Sequence, residues 1–130
     1  MSTAMTVNDH AALAISSTEI TRIVAEHVAR IVDADLRDEV ARVLIEPMLR
    51  EVPWNYGEDG ETLACWIIAD LRPAKPDVLA YCDRGFGPGY PFGILDADLP
   101  SMGTDGQWFL TLEDGLRVAF GGRYALAEVD

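Results

Sequence analysis

The sequence predicts a single α+β domain: an N-terminal helical hairpin packed on a small, mostly antiparallel sheet of three to four strands, followed by a C-terminal helix. Three observations carry that expectation. Two amphipathic, capped segments open the chain after residue 15; apolar, strand-like runs joined by short turns occupy its middle; and Gly/Pro-rich connections separate those runs from a last amphipathic segment. At 130 residues, with 49% hydrophobic and 25% charged side chains, the chain has the composition of one globular domain. Residues 1–15 read as a flexible N-terminal segment and 16–130 as the domain. The opening lacks the basic start of a secretory signal, so a cytoplasmic location is expected.

Ser16-Ser17-Thr18-Glu19 is a capping-box pattern, with a hydroxyl at the N-cap and a carboxylate three residues on. Ile20, Ile23, Val24, His27, Val28 and Ile31 then recur on one helical face. Arg22, Glu26 and Arg30 lie opposite, with Glu26 expected to pair with Arg30 four residues on. Asp33-Ala34-Asp35 interrupts the pattern, and Asp35 is expected to cap a second helix bearing Leu36, Val40, Val43 and Leu44. Pro47 kinks that helix or opens a new turn containing Met48, Leu49 and Val52, because its ring crowds the preceding turn and it has no N–H to donate.

Residues 53–61, rich in Pro, Gly and acids, form a loop. Thr62 to Leu71 is a near-continuous apolar run and reads as a strand covered on both faces. Val78 to Cys82 returns as its antiparallel neighbour across a short connection, and Tyr90 to Leu95 is a third strand whose Pro91 places it at an edge or limits its start. The run from Trp108 to Phe120 fits two templates. Thr111-Leu112-Glu113-Asp114 reads as the start of a helix, whereas Asp114-Gly115 also fits the turn of a β-hairpin; the helix is preferred. Cys65 and Cys82 fall in apolar runs and read as reduced, buried thiols, with a single cross-strand bridge as the alternative.

The formal net charge is −12, spread along the chain: residues 1–65 hold 12 acids and 5 bases, residues 66–130 hold 10 and 5. A body with that field repels phosphate backbones and anionic membranes, so neither nucleic acid nor membrane is an expected partner. A basic protein is, although solubility alone also accounts for an acidic surface. No stretch approaches the ~20 apolar residues of a membrane span.

Motifs for chemistry are sparse. Gly85-Phe86-Gly87 lacks the later glycine of a dinucleotide fingerprint, Tyr90 standing in its place, and the only lysine, Lys75, is in no phosphate-binding loop. His10 and His27 are the only histidines, and His27 reads as a core residue on an apolar helix face. The two cysteines and two histidines lack the close spacing of zinc sites, so no metal and no cofactor is expected. Asp96, Asp98 and Asp105 read as solvated loop acids.

Two segments are left as candidate binding surfaces: 53–61, with Trp54, Tyr56, Glu58 and Asp59, and 84–108, with Arg84, Phe86, Tyr90, Asp105 and Trp108. Aromatic and Arg side chains are enriched at binding hot spots, and carboxylates beside them favour a basic partner. In size, charge and composition the chain resembles small acidic bacterial proteins that neutralise toxins. That likeness implies a non-catalytic, immunity-type binding protein and transfers no individual residue. Two other functions compete: a small enzyme or ligand-binding domain with a pocket between the loop 85–93 and the last element, lined by Asp83, Arg84 and Trp108; and an oligomer-building subunit, with a homodimer formed through Trp66 or Trp108.

Overall fold

A computed structural model describes residues 15–72 and 75–120. Its elements are α1 (Ser17–Ala29), α2 (Ala34–Val43), β1 (Leu44–Pro53), β2 (Thr62–Asp70), β3 (Asp77–Tyr81), β4 (Phe92–Asp96), a 3-10 turn (Asp105–Gln107), β5 (Trp108–Phe109) and α3 (Leu112–Phe120). The five strands form one antiparallel meander in the order β1-β2-β3-β4-β5. The fold is therefore α+β, with an N-terminal helical region and a C-terminal helix.

Both N-terminal helices start on a side-chain cap. Ser16 Oγ accepts the Glu19 N–H at 3.1 Å, and Asp33, not Asp35, caps α2 by accepting the Asp35 and Leu36 N–H groups at 3.0 and 3.1 Å. Glu26 pairs back to Arg22 at 2.7 Å instead of forward to Arg30, because Arg22 sits between Glu19 and Glu26 and bridges both. Ile15, at the end of the segment expected to be flexible, packs on the core, and its carbonyl accepts the Trp66 indole N–H at 3.0 Å.

The sequence expectation fails most clearly at residues 44–53, a ten-residue strand where helix or turn was expected. This adds an edge strand, and with the two-residue β5 it brings the sheet to five strands instead of three or four. β1 carries no clean alternation because a register shift separates Leu44 from Met48, and most of its side chains face water. Pro47 lies inside that irregularity, where a missing N–H costs no ladder bond; such features also blunt an open sheet edge.

The preferred reading of the last element is correct: residues 112–120 are helical, and the Asp114 N–H bonds to Thr111 Oγ1 at 3.0 Å, making Thr111 the cap. The three helices cover one sheet face. Ile20, Val24, Leu36, Val40, Leu112 and Leu116 pack there against Ile68, Leu79 and Phe92. The opposite face is covered by the chain itself: Met102 and Trp108 fold over Cys65, Ile67, Ala80, Cys82 and Leu95, with Val52 at the margin. The apolar strand β2 is thus enclosed on both sides without a second subunit.

Candidate functional site

Three loops meet at one end of the sheet. The β1–β2 loop closes on itself: the Trp54 N–H bonds to the Glu61 carbonyl at 2.9 Å, and Glu61 Oε1 accepts the Glu58 N–H at 2.9 Å. Glu61 is spent internally, which leaves Glu58 and Asp59 exposed at the loop tip. The segment between β4 and β5 is tied to this loop by the Met102 N–H on the Pro53 carbonyl, 2.9 Å, and by the Gly103 N–H on Asn55 Oδ1, 2.8 Å. The Gly-rich loop after β3 completes the group. At Gly85 a Cβ would lie 2.4 Å from the Met102 methyl, so the absent side chain is what lets Met102 seat against that backbone.

Four of the sequence-derived candidates are brought together here. Trp54 contacts Tyr56 and Phe86 edge-on with ring centroids 5.4 and 5.2 Å apart, Tyr56 and Phe86 stand 5.8 Å apart, and Phe86 reaches Trp108 at 6.0 Å. The cluster is graded in burial. Trp108 is 3% exposed, Trp54 and Phe86 are half-buried, and Tyr56 is 63% exposed. Trp108, expected as a contact residue, is thus spent within the fold: its ring lies on Gly93 of β4, and its indole N–H donates to the Met102 carbonyl at 2.8 Å. Arg84 is exposed on the Gly-rich loop. Tyr90, 52% exposed, lies at the other end of that loop, outside the ring cluster. Asp105 opens the 3-10 turn; its side chain is not among the described ones.

Beneath the rings lies a group the sequence spacing does not reveal. Cys65 and Cys82 are free and buried, and the Cys65 Sγ is 3.5 Å from the Met102 Sδ. The neighbouring Cys65 thiol, with the backbone N–H groups of Arg84 and Gly85, holds Cys82 below the usual thiol range. The neighbouring Cys82 and burial push the Cys65 thiol up.

A second concavity lies on the helical side of the sheet, beside Pro88 and Pro91 of the Gly-rich loop and next to Leu110-Thr111. This open cleft of about 420 Å³ is lined by Ile23, Glu26, His27, Arg30, Tyr81 and Phe92, among others. Neither Asp83, Arg84 nor Trp108 lines it, in contrast to the pocket expected from the sequence. His27 packs edge-on against Phe92 at 4.7 Å, and its Nδ1 accepts the Leu112 N–H at 3.3 Å, so it serves the start of α3. Burial, together with the Arg30 charge, lowers its pKa. Tyr81 is pushed up to about 12 by burial and by Asp83. A larger apolar groove of about 630 Å³ runs between α1 and β1, past Val24, Val28, Leu44 and Pro47. No helix among the described residues is long and apolar enough to cross a membrane. Compared with known proteins, the chain matches no family model, no curated protein and no solved structure.

Proposed function

We propose that this chain is a non-catalytic, cytoplasmic binding protein that engages a basic protein partner, with toxin neutralisation of the immunity type as the leading biological role. The observation that supports the reading is the aromatic cluster bridging three loops, which opens to solvent at Tyr56 beside the exposed carboxylates of Glu58 and Asp59. A half-buried ring base holds Tyr56 at little entropic cost, and charges at its rim steer a cationic partner and are sensitive to salt. The net charge of −12 favours the same class of partner at long range. Arg84 and Tyr90, exposed on the neighbouring loop, extend the surface and supply directed contacts.

The test is affinity capture from the source organism's lysate at low and high ionic strength. A basic protein should be retained at low salt and released at high salt, and retention should fall in Glu58→Lys/Asp59→Lys and in Tyr56→Ala. Capture that ignores salt and both variants, or the absence of any basic protein, would refute the reading.

A further inference from the structure

We propose that Cys65, Cys82 and Met102 form an all-sulfur site for one soft monovalent metal ion, and that Cu(I) is the ion its chemistry fits. Seventeen positions separate the cysteines in sequence, but the sheet places them opposite one another. Trp66 pairs with Tyr81 across β2 and β3, and one step further along the same register Cys65 faces Cys82. The Cys82 N–H is used toward the other neighbour, bonding the Pro91 carbonyl at 2.8 Å. The cysteine pair therefore occupies a non-hydrogen-bonded position, where side chains of antiparallel strands approach most closely. Met102 is held over them by its own N–H bond to the Pro53 carbonyl, with its sulfur 3.5 Å from that of Cys65. Three sulfurs bound about 2.3 Å from a single ion stand about 4 Å apart in a trigonal plane, so the Cys65 and Met102 sulfurs need to part by only about half an ångström.

The donor set selects the ion. Thiolate and thioether ligands suit Cu(I), whereas hard cations require oxygen ligands. Zn²⁺ requires a fourth nitrogen, oxygen or thiolate ligand, and among the described residues no group of three His, Cys, Asp or Glu could hold a metal. Cys65 and Met102 are 0% exposed and Cys82 is 2% exposed, so the site also excludes the water that a doubly charged ion would retain. Two thiolates and one Cu⁺ leave a single negative charge, less than the two that the thiolates carry without the ion. Binding displaces the thiol protons to solvent and moves no electron, so affinity rises with pH.

The full chain, reduced and kept free of oxygen, is titrated with Cu(I) against bicinchoninate as a chromogenic competitor. One equivalent should be withdrawn from the competitor, and X-ray absorption at the copper edge should show sulfur-only coordination at about 2.3 Å. Cys65→Ser and Cys82→Ser should each weaken binding by on the order of 100-fold or more, and Met102→Leu, which preserves the packing volume, by about tenfold. The spectrum of the unaltered chain decides the matter even if a serine variant fails to fold. No competition with bicinchoninate, nitrogen or oxygen in the copper shell, unchanged affinity in folded cysteine variants, or a chain that only closes a Cys65–Cys82 disulfide and takes no Cu(I) when reduced would each overturn the proposal.

Discussion

Replacing Gly93 with alanine puts a methyl group where Trp108 already lies. The new Cβ would sit 2.4 to 2.6 Å from three carbon atoms of the indole, against a comfortable carbon–carbon separation of about 3.5–4.0 Å. The ring has to retreat by about 1 Å. It is 3% exposed and anchored by the 2.8 Å bond from its N–H to the Met102 carbonyl, so retreat strains the packing and breaks that bond. Overpacking costs about 1–3 kcal/mol, and a buried donor and acceptor left unpaired cost about 1–3 kcal/mol more. The stiffer unfolded chain returns about 0.4–1 kcal/mol. The expected net loss is about 3 kcal/mol, a large fraction of the ~5–15 kcal/mol that holds a domain of this size together. Urea unfolding followed by far-UV circular dichroism measures it, since the signal must survive loss of the tryptophan in the paired variant. In a Trp108→Leu background the ring is gone, and Gly93→Ala should cost close to nothing, giving a coupling energy of about 2–3 kcal/mol. Equal costs in the two backgrounds would refute the account of this contact.

Asp33→Ala removes the acceptor of two N–H groups at the start of α2 and should cost about 1 kcal/mol, with Asp33→Asn recovering most of it, as read from urea midpoints. His27 should make the fold acid-sensitive. Its pKa is lowered in the folded state, so the unfolded chain binds the extra proton first; its stabilising effect is complete above the ordinary value of 6.5 and is lost as pH falls through that value toward the folded pKa. Stability measured between pH 8 and pH 5 should fall more in the parent than in His27→Gln, and parallel curves would count against this role.

Local chemistry determined much of the fold. The hydroxyl at Ser16 and the apolar spacing after it mark α1 within its own residues, and the continuous apolar run of β2 demands burial wherever it is placed. The Thr111 cap likewise outweighs Gly115 in deciding for a helix; Gly115 is buried near Leu79 and Phe109, where a Cβ would meet ordinary contact at 3.4 Å. Residues 44–53 went the other way. Leu44, Met48, Leu49 and Val52 have a helical spacing, and only pairing with β2 makes the segment extended, because an exposed, bulged edge strand carries no period-two signature of its own.

The candidate site divides along the same line. That Trp54, Tyr56, Glu58 and Asp59 share one turn-rich loop is visible in the chain, since they are neighbours in it. That Phe86 and Trp108 join the rings while Tyr90 does not, and that Trp108 is a buried support, follows from the meeting of three loops. The three sulfurs are the extreme case. Residues 65, 82 and 102 are brought within reach by strand register and by a loop folded over the sheet, and both are set by contacts between segments far apart in the chain, which no local pattern encodes.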